Sequence, residues 1–367
     1  MRKSIIVITS LLTLVVGLIL HSCSTTPTSG EVVLNVADKS FDLLSKYNFF
    51  SGVIKDLKPN AGVLPYDLAS PLFTDYAHKA RFVYVPKGKQ VDYQEEGVLN
   101  LPVGSCYIKN FYFPFDFRDL SKGRRIIETR MLVHRENGWE SLSYIWKDDQ
   151  SDATLEVAGD IKQVSWIHND GKKMDIDYVI PNKNQCKGCH WDNKNNAFMP
   201  IGPKVRNLNH DYTYTDGVKN QIEKWTAMGI LKGAKPAAEC PKMVSYYDTT
   251  ASINDRARAY LEINCAHCHN PNGPAYTSGL YVNLENTNLE NLGICKAPVA
   301  AGIGTGNRMW DIVPGNHNAS ILSYRMESVE AGVKMPEVGR VLAHKEGVEL
   351  INRWIDEMKA GECGVKQ

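Results

Sequence analysis

The rhythm of hydrophobic and polar positions changes near residue 180. Before that point, apolar side chains come in short alternating runs. Phe82-Val83-Tyr84-Val85 is closed by Pro86 and Gly88, and Tyr107-Ile108-Lys109-Asn110-Phe111-Tyr112-Phe113 is rich in aromatic and β-branched residues. Such segments suit a pleated, half-buried surface. Arg125 to His134 and Gly138 to Trp146 flank Glu136-Asn137-Gly138, and an Asn-Gly step tolerates the positive φ of a tight hairpin turn. Val164 to His168 and Met174 to Ile180 repeat the arrangement around Asn169-Asp170-Gly171. This density of strands and turns predicts a β-rich domain over 31–180, a sandwich or a barrel.

Beyond Pro181 the apolar spacing becomes helical and the connections are rich in Gly, Asn and Pro. Val218, Ile222, Trp225, Met228 and Ile230 lie near helical spacing within 216–231. A helix over 254–263 would be capped by Asn254 and face Ala257, Tyr260 and Leu261 inward. From Lys345 to Met358, the side chains of Val348, Ile351, Trp354, Ile355 and Met358 share one face. The expected fold class is therefore α+β and multidomain. A β-rich domain precedes a mainly α-helical region, divided into 181–245 and 246–367.

The first residues read as an export signal. Arg2 and Lys3 precede an almost entirely apolar stretch from Ser4 to Leu20, and Leu20-His21-Ser22-Cys23 is similar to a lipobox. Residues 1–22 are thus expected to be a lipoprotein signal peptide, Cys23 the lipidated residue and 23–30 a polar tether. A plain transmembrane anchor is the alternative, because about 17 apolar residues just span a bilayer. The expected location is the periplasm or cell surface, attached to a membrane. Removal of 1–22 shifts the net charge from +1 to −1, a neutrality that gives no support for nucleic-acid binding.

Two pentapeptides carry the chemistry: Cys186-Lys187-Gly188-Cys189-His190 and Cys265-Ala266-His267-Cys268-His269. Cys-x-x-Cys-His is the attachment signature of c-type haem, in which both thiols add to the porphyrin vinyl groups and the histidine binds the iron. Two haem c groups are expected, the first in a haem-binding segment over 181–245 and the second in a cytochrome c-like domain over 246–367, so that the mainly α-helical region is cytochrome c-like. Met335 lies 66 residues beyond His269, before Pro336 and ahead of the closing helix, and is the expected second axial ligand there; Met326 and Met309 compete. For the first site Met199, only nine residues past His190, is too close to swing across the ring, and His210, Met228, Met243, His134 and His168 remain open. An iron without a second ligand would permit peroxide chemistry. Three other readings of the cysteine pairs are a shared zinc, two short disulfides and a thioredoxin-like redox pair. His267 reads as a surface or loop residue.

Nine cysteines are present. Setting aside Cys23 and the four haem cysteines leaves Cys106, Cys240, Cys295 and Cys363, enough for two disulfides in an oxidising compartment or for buried free thiols. Trp139, Trp146 and Trp166 would line a binding groove or pack a sheet core. Asp148, Asp149 and Asp152 would form a cation site or a solvated loop.

Longer stretches carry a family likeness. They are Asn264 to Gly273, Leu292-Gly293-Ile294-Cys295-Lys296-Ala297-Pro298, Ile312-Val313-Pro314-Gly315 and Lys334-Met335-Pro336-Glu337-Val338-Gly339-Arg340. With Gly62 to Asp67, Ser70 to Phe73, Glu128-Thr129-Arg130 and Pro200 to Lys204, they resemble an uncharacterised bacterial family of dihaem c-type cytochromes across nearly the whole mature chain. The resemblance implies electron transfer, with Cys186, Cys189, His190, Cys265, Cys268 and His269 as haem residues. It also implies a redox protein partner, with association to a parallel β-helix protein. An electron carrier is the leading expectation. A dihaem peroxidase and a β-domain binding module with haem redox output are the alternatives.

Overall fold

The computed structural model describes residues 30–37, 39–359 and 363. The expected signal segment, Cys23 and the expected tether up to residue 29 lie outside the described residues. Among the described residues, nine strands occupy the first half: β1 (Val63–Tyr66), β2 (His78–Tyr84), β3 (Val91–Asp92), β4 (Cys106–Pro114), β5 (Arg124–Arg135), β6 (Gly138–Trp146), β7 (Ala153–Glu156), β8 (Asp160–Ile167) and β9 (Lys173–Ile180). Six of them form one sheet in the order β1-β2-β4-β5-β6-β7, with every pairing antiparallel. Arg135 pairs with Gly138 across a two-residue turn, and β8 pairs with β9 as a hairpin. Both expected hairpins are present. The sandwich or barrel is replaced by a single open sheet, against which the β8–β9 hairpin packs.

The period of two divides the sheet into two unlike faces. One face carries Phe82, Cys106, Ile108, Met131, Val133, Leu142, Tyr144 and Trp146. These pack with Leu44, Tyr47, Phe49 and Leu57 of the preceding segment. The other face has three zones. At one end Val83, Tyr107 and Trp139 pack with Val205, Leu208, Ile222 and Trp225 from beyond residue 180. At the other end Phe111, Phe113 and Ile145 pack with Val164, Trp166, Tyr178 and Ile180 of the hairpin. The middle zone carries charged side chains and forms the floor of a cavity.

Six helices follow among the described residues: α1 (Lys183–His190), α2 (Val205–Leu208), α3 (Gln221–Ala227), α4 (Ile253–Asn264), α5 (Ile321–Glu327) and α6 (Lys345–Asp356). None exceeds 12 residues, and irregular chain makes up most of the region. The mainly α-helical cytochrome c-like region expected from the sequence is thus not what forms, and the described chain is sheet-rich. The physical reason is visible in the loops. Side chains of Asn283, Asn286, Asn288 and Asn291 bond to nearby backbone groups or carboxylates, which satisfies the chain without a helix. The expected helix over 216–231 is confined to α3, because Asp211–Tyr214 and Gly217–Asn220 pair as a hairpin and Asn220 caps the helix that follows. Ser252, not Asn254, caps α4.

A fourth core joins α4 to α6 through Ala257, Tyr260, Leu261, Leu350, Ile351, Trp354 and Ile355. Gly347 makes this packing possible, since a Cβ there would overlap the Tyr260 ring. The two halves of the chain interlock: Asn264 Oδ1 accepts from Phe73 N at 2.8 Å, and Asp75 Oδ1 accepts from Val341 N and Leu342 N, both at 2.8 Å.

Candidate haem-binding site

The first pentapeptide lies on a helix. Asn182 and Gln185 form a capping box at its start: Asn182 Oδ1 accepts from Gln185 N at 2.8 Å, and Gln185 Oε1 accepts from Asn182 N at 2.9 Å. The helix α1 is fixed to strand β6 by a Lys183–Glu140 ion pair at 2.6 Å and by Ser141 Oγ, 3.4 Å from Cys186 Sγ. This places Cys186 against the sheet and leaves Cys189 and His190 toward the cavity.

His190 is held by residues that spacing alone did not reveal. Its Nδ1 lies 2.9 Å from the Met199 carbonyl, and its ring stacks on Phe198 with centroids 5.0 Å apart. A carbonyl only accepts, so Nδ1 carries the hydrogen and Nε2 presents its lone pair. Burial pushes the His190 pKa down to about 4, which keeps the ring neutral at pH 7. His269 is built the same way. Its Nδ1 lies 3.3 Å from Ser278 Oγ, whose own proton goes to the Ala275 carbonyl at 2.7 Å. Ser278 therefore accepts, and Nε2 is again the free nitrogen. Burial lowers this histidine to about 4 as well.

The second pentapeptide begins at the C-terminal end of α4, where Cys265 N and Ala266 N both donate to Leu261 O. It meets the first directly. Asn193 N donates to Asn272 O at 2.9 Å, and Cys268 Sγ lies 3.2 Å from Gly188 O. Ligand atoms of Cys189, His267 and Cys268 fall within 4.8 Å of one another. His267 lies in the turn after α4, as expected of a loop residue, but it is half-buried and its Nδ1 is buried without a hydrogen-bond partner. Hydrogen bonding from Cys268, then from His267, lowers the Cys189 thiol, and the same contact raises Cys268. All four pentapeptide cysteines are free thiols here.

A cavity separates the sheet from the C-terminal region. Cys186, Cys189, His190, Cys265, His267 and Met335 line it, between apolar walls that include Leu72, Phe73, Ile201, Ile263 and Val348. Met335 is positioned by Arg340, whose guanidinium lies 2.9–3.2 Å from the carbonyls of Arg325, Met326, Ser328, Met335 and Leu342. Met326 also lines the cavity, whereas Met309 is 64% exposed. His269 is not among the lining residues and points instead toward Ser278. Of the open candidates for the first site, His134 bonds Leu101 O and stacks on Trp139, His168 packs on Tyr76 and Phe117, and His210 bonds Gln221. Met228 is exposed and Met243 is buried. His267 was not on that list, and it reaches the cavity.

The remaining features take ordinary structural roles. Trp139, Trp146 and Trp166 are buried in the three sheet cores. Asp148 pairs with Arg125, Asp149 accepts from Ser151 and Asp152 accepts from Ser45, so these carboxylates organise loops. Cys295 and Cys363 form a disulfide, while Cys106 and Cys240 are buried free thiols in cores on opposite faces of the sheet.

The donor set fits covalently held haem: two pairs of free thiols, two neutral imidazoles with Nε2 unengaged and a thioether on an apolar cavity wall. Comparisons with protein-family models, curated proteins and solved structures give no match.

Proposed function

We propose that this chain is an exported, lipid-anchored dihaem c-type cytochrome that exchanges electrons with a docked redox protein. The observation that carries the reading is the matched treatment of His190 and His269. Each directly follows a Cys-x-x-Cys pair, each has Nδ1 engaged by the chain, and each is kept neutral by burial. Haem iron, cycling between ferric and ferrous states, would supply the redox chemistry. The chain's own part is to hold, orient and insulate. Cys186 and Cys189 would anchor the first group and Cys265 and Cys268 the second. The Met199 carbonyl and Phe198 orient one imidazole, and Ser278 orients the other. Arg340 holds the loop that brings Met335 to the cavity. The partner is expected to be a redox protein, with the parallel β-helix protein implied by the resemblance as the first one to test.

Pyridine haemochrome analysis of the mature protein should give two c-type haems per chain, and peptide mass spectrometry should place them on the two pentapeptides. A count of one, located at the second pentapeptide, would remove the first site.

One observation favours a second reading. Cys189, His267 and Cys268 form a compact soft-donor cluster of the kind that binds Zn2+ or Cu+. The two readings exclude each other, because thioether formation consumes both thiols. Thiol titration of the exported protein separates them: reactive Cys189 and Cys268, with bound metal by elemental analysis, would favour the metal centre.

A further inference from the structure

The charged middle zone of the sheet is arranged as a row. Arg81 pairs with Lys109, and Lys109 pairs with Arg130, in adjacent positions of β2, β4 and β5. Residues directly opposite on neighbouring strands point to the same face, and all three line the cavity. Like charges in such positions repel. Two of them have compensation. Arg81 donates to Asp67 at 2.6 Å, and Arg130 forms a two-pronged pair with Glu128 at 2.5 and 2.8 Å. Lys109, between them, contacts the Phe111 ring at 5.1 Å and has no carboxylate partner among the described residues. Burial, then the charges of Arg81 and Arg130, pushes its pKa down to about 7. With Lys109 protonated, the row holds one cation more than its carboxylates balance, on the floor of a largely apolar cavity.

The first pentapeptide sits at the edge of this row. Ser143 of β6 pairs with Arg130, and Ser141, two residues earlier, touches Cys186. Two residues along a strand are about 7 Å. Lys109 interacts electrostatically with Cys189, and Arg130 with Cys186. A ligand tethered to these thiols would thus have the cation row within its own dimensions.

We propose that the Arg81–Lys109–Arg130 row seats a carboxylate, and that this carboxylate is a propionate of the porphyrin attached at Cys186 and Cys189. The inference rests on the haem reading above. It assigns the sheet a share in the haem pocket, with Lys109 as a positioning residue. A carboxylate between Arg81 and Arg130 would receive charge-assisted hydrogen bonds and relieve the repulsion along the row. A free small dicarboxylate offers the same chemistry, and the test separates the two.

The mature exported protein is compared with Lys109→Gln and Lys109→Arg. Lys109→Met serves as a second neutral variant if the glutamine protein fails to fold. Haem is counted first, so that loss of the haem reading shows as a missing group before any property of the row is measured. With two haems attached, both neutral variants should lower the reduction potential of one haem, since a lost cation favours the ferric state. They should also shift a propionate-bending band in the resonance Raman spectrum. Lys109→Arg should restore both, and the other haem should not move. Two haems with unmoved potentials and an unmoved propionate band would overturn the proposal. Titration of the wild-type protein with sodium succinate is expected to leave the spectrum unchanged. A saturable change that disappears in Lys109→Gln would overturn the propionate assignment and give the row to a free dicarboxylate.

Discussion

At the scale of single residues, the structure is organised by side chains that hold other side chains in place. Arg340 is 5% exposed and bonds five backbone carbonyls, two at the end of α5 and three in the chain that follows it. A lysine cannot reproduce that planar fork. Arg340→Lys should cost about 2 kcal/mol in chemical denaturation and, because Met335 is in the same loop, weaken the methionine–iron absorption near the red edge of the ferric spectrum. An unchanged spectrum would dissociate Met335 from the iron. His344 is another such case. It is 4% exposed, stacks on Phe73 at 4.2 Å and lies 3.1 Å from the Tyr260 hydroxyl. Burial pushes it down to about 4, against about 6.5 in an unfolded chain. Between those values the unfolded state binds the extra proton, so stability falls as pH drops from about 6.5 to about 4. The full effect is about 3 kcal/mol, and urea titrations across that range should show a flatter profile in His344→Gln than in the wild type. Little of this was legible in the sequence. The pentapeptides were, because their spacing is local. The Met199 carbonyl, Ser278 and Arg340 act through the folded backbone, and no pattern of residue types announces them. His267 reads as incidental until the two pentapeptides are seen to touch.

At the scale of elements, legibility followed the range of the signal. The β5–β6 and β8–β9 hairpins were readable because alternation and an Asn-Gly or Asp-Gly turn lie within a few residues. The α3 helix was overextended because a helical spacing of apolar residues ran through a hairpin whose turn, Thr215-Asp216, is equally local. The cation row was invisible, since only strand register brings Arg81, Lys109 and Arg130 side by side. Helix α1 is short and depends on its cap. Asn182→Ala should cost about 1 kcal/mol in thermal denaturation. The close approach of α4 and α6 depends on Gly347, whose missing Cβ admits Tyr260. Gly347→Ala should therefore destabilise by about 2 kcal/mol through overpacking, despite the higher helix propensity of alanine. A stabilised variant would mean the two helices separate freely.

At the scale of the whole molecule, one open sheet carries a core on one face. On the other it carries two cores with a cavity between them, and the C-terminal region closes that cavity. Short helices and hydrogen-bonded loops do the closing, where the sequence led us to expect a mainly helical domain. The Cys295–Cys363 disulfide spans 68 residues of this closing segment. By chain entropy its loss should cost about 4 kcal/mol, measurable as a lower denaturation midpoint in Cys295→Ser. Cys106 and Cys240, buried in separate cores, should react with iodoacetamide only after unfolding. The central claim concerns what fills the cavity, and peptide mass spectrometry of the mature exported protein tests it most directly. The account predicts haem adducts on both Cys186–Cys189 and Cys265–Cys268; unmodified thiols at all four positions would contradict it.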